Sequence, residues 1–159
     1  MPARVLFDVS DVDLDHVAVG KEEIERINPQ RFEFQQLTSV CHIDVEQKII
    51  VGVRDILEDE FWIRGHVPGH PIFPGVLLIE AAAQLCSVYT AKVTDIPDMY
   101  GFGGTDNVRF RKVITVGDRL VIVARGDHVT SRRSRFTTQA LVEGKVVFEA
   151  SIFGIALPA

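Results

Sequence analysis

"GHVPGHPIFPGVLLIEAAAQ", residues 65–84, changes character at its midpoint. In the first half, Gly65, Pro68, Gly69, Pro71 and Pro74 force an irregular loop, since proline removes backbone donors and glycine admits unusual dihedrals. From Gly75 the chain turns to helix-favouring residues, and the pattern runs to about Lys92. Between Val76 and Tyr89 the polar side chains are Glu80, Gln84 and Ser87, spaced i, i+4, i+7 and so aligned on one face. A helix that is apolar on most other sides must be covered on most sides.

The surrounding sequence supplies the cover. Residues 39–56 are rich in β-branched side chains and turn near Glu46-Gln47, which predicts a hairpin. "EFWIRGHVPGHP" starts as a strand before its prolines. A connection follows the helix at 94–106, and then three β-rich runs: "NVRFRKVITVG", "RLVIVARGDHVTSRRSRFTTQALVEG" (bent or itself paired) and "KVVFEASIFGIAL". In the last run Val146, Phe148, Ala150 and Ile152 alternate with a mixed set, as on a sheet with one face against a core. Five or six antiparallel strands and one long apolar helix define an α+β class, a strongly curved sheet wrapped around a central helix. One thin sheet leaves part of such a helix uncovered, and a second copy of the chain is its natural cover. Residues 1–20, polar-acidic with scattered valines, read as a loosely packed arm, and "KEEIERINP" as one or two helical turns ended by Pro29. Residues 21–159 then form a single domain.

Composition narrows the function classes. The 159 residues are 47% hydrophobic and 25% charged, ordinary for a globular protein. The N-terminus lacks a basic-then-apolar profile, and the apolar run Val76 to Val93 contains Glu80, Gln84 and Lys92, so a core helix is the better reading than a membrane span. Two cysteines, Cys41 and Cys86, give no metal-type spacing and no disulfide framework, and the expected compartment is the reducing cytoplasm. Charge is uneven: residues 1–60 hold 14 acidic against 6 basic side chains, whereas residues 107–135 hold 8 basic against 2 acidic. The basic segment (Arg109, Arg111, Lys112, Arg132, Arg133, Arg135 among them) is either a solvated strand surface or a docking patch for an acidic partner. Nucleic acid is not expected, with the chain at −5 overall and no binding motif.

Chemistry concentrates at the loop and helix. His66 can take or give a proton near neutrality, and Glu80 on an apolar helix can serve as an acid if burial raises its pKa. The helix start offers free backbone N–H groups, and Gly75 lets a carbonyl approach them closely. Gln84 and Ser87 are either supports for this site or a satisfied polar seam. His66 and His70 have ligand-like spacing, but Pro68, Gly69 and Pro71 exclude a helix there and no third ligand is evident, so no metal is expected. Base, acid and oxyanion donor together suit removal of a proton α to a carbonyl with expulsion of a β-hydroxyl.

The 65–84 stretch closely resembles the signature GHFPGxPxMPGVLxIEAxAQ of the β-hydroxyacyl-acyl-carrier-protein dehydratases, a hotdog-fold family of fatty acid synthesis. Weaker similarity appears in "INPQRFEF", "VRFRKVITVGD" and "VEGKVVFEASI", so that it spans about residues 22–156. The resemblance implies that His66 and Glu80 are catalytic, that the Gly75 amide polarises the thioester carbonyl, and that Gln84 supports them. It also implies that the histidine of one subunit works with the carboxylate of another, so that a dimer, or three dimers in a hexamer, is the working form. The substrate is then an acyl chain on the phosphopantetheine of an acidic carrier protein, with no further cofactor. Ile72, Phe73 and Leu77 are expected to line an acyl tunnel. Tyr100 and Phe102 occupy the place of an aromatic gating loop, or are ordinary packing. Departures from the family pattern are clear: Val67 for phenylalanine, Phe73 for methionine, Gln30 for histidine, and Thr38-Ser39 where the family has an aspartate–arginine pair. They suit a paralogue with a specialised acyl substrate. A dehydratase is the leading expectation, with a non-catalytic acyl-binding subunit or a thioesterase on the same fold as alternatives.

Overall fold

The computed structural model describes residues 2–96 and 99–158. A six-stranded, wholly antiparallel sheet wraps one long helix. In chain order the elements are α1 (Lys21–Ile27), a single 3₁₀ turn (Phe32–Phe34), β1 (Ser39–Asp44), β2 (Ile49–Asp55), α2 (Gly75–Val93), β3 (Tyr100–Phe110), β4 (Arg119–Val129), β5 (Arg133–Val142) and β6 (Lys145–Ala156). The spatial order is β1-β2-β4-β5-β6-β3, so β3 crosses over to the far edge beyond β6. This is the α+β arrangement expected from the sequence.

The helix spans Gly75–Val93, as its pattern predicts, and buries Leu78, Ala81, Ala82, Leu85, Val88 and Tyr89 against the sheet. Although its length and composition would allow it to cross a membrane, it is the core helix here. Its less covered stripe consists of Val76, Glu80, Ala83 and Ser87, again at helical spacing. Gln84, expected on that polar stripe, is instead 2% exposed.

Through β2 and the first half of β4 the sheet is buried on both faces. Its outer face carries Cys41, Ile49, Val51, Val53, Val121, Val123, Leu141 and Val146. That is why "IIVGV" and "LVIVA" read as continuous apolar runs and not as alternation. The N-terminal arm, expected to pack loosely, lies across this face through Leu6, Phe7, Val9, Val12 and Leu14. Polar ties hold it there: Gln139 Oε1 accepts from the Leu6 N–H at 2.7 Å, Gln139 Nε2 donates to the Arg4 carbonyl at 2.8 Å, and Arg119 pairs with Asp15 at 2.8 Å.

Three local expectations are corrected. Residues 60–64 form turns and no strand, because Glu60 is drawn inward by Arg54 and by the Leu57 N–H, at 2.7 Å for the latter. The last ladder strand before β4 begins at Tyr100, inside the expected connection, and stops at Phe110 before "RKVITVG". Two bulges in β3, at Phe102/Gly104 and Asp106/Arg109, obscure its period. The Val146–Ile152 alternation breaks at its start, where a bulge at Ala140/Leu141 sends Val146 to the outer face and Val147 joins Phe148 in the helix-side core.

Candidate active site

The loop before α2 presents His66. Its backbone N–H donates to the Trp62 carbonyl at 2.9 Å, and the segment beyond is pinned by the Phe73 N–H donating to Ile114 at 2.8 Å. The imidazole Nδ1 lies 2.8 Å from the Ile72 carbonyl. A carbonyl only accepts, so Nδ1 carries a proton, and in the neutral ring Nε2 would hold the lone pair that a base requires. The ring is exposed.

At the helix start Pro74 occupies the N-cap and leaves the first N–H groups without a capping side chain. Among the described residues the Gly75 N–H has no hydrogen-bond partner. Glycine suits this position, since a Cβ at 75 would lie 2.8 Å from the Phe110 ring and push it aside. Phe110 thereby brings the end of β3 against the helix N-terminus.

Glu80 sits on the open stripe of α2 and is half-buried in the single chain, less enclosed than its apolar neighbours in sequence suggest. Its Oε1 accepts from Gln84 Nε2 at 2.9 Å. The same Nε2 donates to the Phe34 carbonyl at 2.8 Å, while Gln84 Oε1 accepts from the Gln36 N–H at 2.9 Å. Gln84 therefore satisfies the backbone of residues 34–36 and aims the carboxylate at once. A small cleft of about 60 Å³ runs from Glu80 past Ser87 to Asn28, Tyr100, Phe102 and Ser134.

Beneath the loop lies a group that sequence reading missed. Arg54 donates to both oxygens of Glu60 and to Gln36 Oε1, and Glu60 also accepts from Trp62 Nε1 at 3.0 Å. The Arg54 and Glu60 side chains are only 9% and 12% exposed. Burial pushes the Glu60 carboxyl up, but the Arg54, Leu57 and Trp62 hydrogen bonds outweigh it and hold the pKa below the ordinary value. An arginine closing an apolar strand, six residues before a glutamate, was the only signal. Through Gln84, Gln36, Arg54, Glu60 and Trp62, one polar network runs from the Glu80 carboxylate to the loop that holds His66.

The other expected residues separate. Tyr100 and Phe102 line the cleft beside Glu80; Tyr100 is held by a 3.3 Å bond to the Thr130 carbonyl, and burial raises the pKa of its phenol. Ile72, Phe73 and Leu77 belong to the other end, around the helix N-terminus. Phe73 is 3% exposed, edge-on to Trp62 at 5.4 Å and under the Arg54 guanidinium, so it forms no wall of this cleft. His66 does not line the cleft either. The basic residues divide into two patches. Arg109 pairs in register with Glu149 of β6 and Arg133 with Ile155, which puts the groups six residues, roughly 20 Å, apart. Arg111 is tied to Glu149 at 2.6 Å. Among the described residues no three His, Cys, Asp or Glu side chains converge as metal ligands do.

One long helix wrapped by a curved antiparallel sheet is the hotdog fold, and the class it defines here is a hydro-lyase. The chain belongs to the FabA-like family, whose domain matches residues 28–151. It is 34% identical over 134 residues to the 3-hydroxyacyl-acyl-carrier-protein dehydratase FabZ of Escherichia coli O9:H4 (strain HS), covering 82% of this chain and 88% of that protein. Its fold is similar to that of the dehydratase heterocomplex ApeI:P from Xenorhabdus doucetiae, with a TM-score of 0.71 at 16% identity over 85% of this chain and 91% of that one. It is also similar to a hypothetical thioesterase with coenzyme A from Streptococcus pneumoniae TIGR4, with a TM-score of 0.63 at 10% identity over 86% and 95% of the two chains.

Proposed function

We propose that this chain is a dehydratase that converts (3R)-3-hydroxyacyl thioesters on acyl-carrier protein into trans-2-enoyl thioesters and water, in fatty acid or related lipid synthesis. The observation that carries this reading is the His66–Ile72 hydrogen bond, which commits Nδ1 as a donor and leaves Nε2 of an exposed ring for the substrate. In the reaction His66 Nε2 takes the α-proton, and the electron pair it releases forms the α–β double bond as the β-hydroxyl leaves. The Glu80 carboxyl gives the hydroxyl its proton, so that water departs. The Gly75 N–H stabilises charge on the thioester oxygen as the proton is removed. Transfer of the proton from His66 back to Glu80 resets the site.

Within one chain the Glu80 cleft does not include His66. A dimer in which the histidine of one copy meets the carboxylate of the other supplies both groups. Exposed apolar side chains flank the open helix stripe: Phe32 (88%), Phe34, Val76, Phe102 and Phe110. A patch of this kind is what a second copy covers. Arg109 and Lys112 lie beside the helix N-terminus through Phe110, and they suit the acidic surface of the carrier. The buried reduced cysteines fit a cytoplasmic enzyme.

The test is turnover of 3-hydroxyacyl thioesters on carrier protein and on coenzyme A, followed by enoyl absorbance, beside His66→Ala. Activity abolished in the variant is the expected result. No turnover across chain lengths would overturn the reading, and release of free acid would replace it with thioester hydrolysis.

A further inference from the structure

The cleft beside Glu80 holds a polar atom that nothing in the chain satisfies. Asn28, at the C-cap of α1, is 3% exposed and forms part of the cleft wall, and its Oδ1 is buried with no hydrogen-bond partner. Its orientation is not open to choice. Asn28 Nδ2 donates to the Gln84 carbonyl at 3.1 Å, so the remaining atom must be the oxygen. The backbone is locked as well: its N–H donates to Ile24 at 2.7 Å and its carbonyl accepts from Arg31 at 2.9 Å. Gln30, on the same wall, has a second buried and unpartnered oxygen. Buried carboxamide oxygens are nearly always paired, and an unpaired one facing a cavity points to a missing donor.

We propose that this cleft receives the distal end of an acyl chain that carries a hydrogen-bond donor, a hydroxyl in the simplest case, and that Asn28 is the residue that selects it. The proposal rests on the dehydratase reading above and narrows its substrate class. Two features favour the acyl end over the pantetheine arm. The cleft starts at Glu80, where the reacting β-carbon must lie in the dehydratase reading. Its walls mix apolar Ala83, Ile152 and Phe153 with Ser87 and Ser134 as further polar contacts. A plain alkyl end would leave Asn28 Oδ1 unpaired and dry, whereas a hydroxyl end pairs it. Sites that hydrogen-bond a substrate hydroxyl discriminate far more steeply than apolar pockets do.

The experiment compares matched 3-hydroxyacyl thioesters, hexanoyl to decanoyl, with and without a terminal hydroxyl, on the wild-type enzyme and on Asn28→Leu. Wild type is expected to favour the hydroxylated member in kcat/KM by at least about tenfold at one length, and Asn28→Leu to bring the ratio to near unity or invert it. Equal kcat/KM in wild type at every length overturns the proposal. So does an equal loss for both members in Asn28→Leu, which would assign Asn28 to the pantetheine arm. A shift only in the dimer's dissociation constant would assign it to the partner copy, and that too overturns the proposal. If neither thioester is turned over, the dehydratase reading fails by itself. Calorimetric binding of the same pair to the wild-type chain then still decides: preference for the hydroxylated ligand upholds the cleft's assignment, and equal binding ends it. The wild-type comparisons stand even if Asn28→Leu does not fold.

Discussion

The Ile72 carbonyl holds the His66 imidazole at Nδ1, 2.8 Å away, and so commits that nitrogen as a donor. Because the ring is otherwise exposed, replacing it costs the fold little. His66→Ala is expected to keep the wild-type melting temperature while kcat falls by roughly 10²–10⁴. A steady-state assay beside a thermal melt tests both halves.

Gln84 satisfies two backbone groups besides orienting Glu80. Gln84→Leu leaves the Phe34 carbonyl and the Gln36 N–H unpaired, at a cost of about 2–4 kcal/mol in a denaturant titration. Its kcat should fall, because the Glu80 carboxylate loses the group that aims it.

Gly75→Ala drives a methyl group into the Phe110 ring, which a Cβ would approach to 2.8 Å. The expected outcome is a loss of activity of at least about tenfold through a displaced helix start. Gly75→Ala with Phe110→Ala should recover part of that loss. Failure of the second change to help would show that the glycine is needed for reasons other than the ring.

The Arg54–Glu60 pair makes a pH prediction with a definite sign. The Glu60 pKa lies below its usual 4.5 in the folded chain, so its stabilisation is fully present above about that pH. It is lost as pH falls through the lower, folded value. Glu60→Gln leaves Arg54 without its buried partner and should cost about 3 kcal/mol at neutral pH. Because the variant has already lost the pair, its stability should fall less steeply than wild type below pH ~4.5.

Cys41 lies under the N-terminal arm, and burial pushes its thiol up to about 11. At pH 8 it should react with a thiol reagent only through opening of the fold. Removing residues 2–14 strips Leu6, Phe7, Val9, Val12 and Leu14 from the sheet. The truncated chain should lose about 3 kcal/mol and expose a fast-reacting Cys41, read by labelling and mass spectrometry.

The sequence made the helix and its place legible because Gly75 to Val93 has one apolar pattern, bounded by Pro74 and Thr94. The hairpin around Glu46-Gln47 and the final strand were equally direct. What was hidden depended on partners distant in the chain. Trp62 looks like a strand residue, and only the buried Arg54–Glu60 pair turns its segment into a loop. Val146 changes face because β6 bulges at Val147, between its Ala140–Phe148 and Leu141–Val146 pairings with β5. The arm looked loose because its valines and leucines are sparse, yet they meet an outer sheet face that is itself apolar. In the candidate site, His66, Gly75 and Glu80 stood out by residue type. Asn28, Gln36 and Arg54 did not, because nothing local to them marks them as buried.

The network from Glu80 to the His66 loop also bears on how two copies would share work. In the proposed dimer, the histidine and the carboxylate joined by Gln84, Gln36, Arg54 and Glu60 serve opposite reaction centres. Mixing His66→Ala subunits with Glu80→Gln subunits would then restore one whole centre in every hybrid pair, up to half of the native rate per dimer. Subunits altered at Arg54 would offer no such rescue to either parent, since each would carry a disturbed half into both centres.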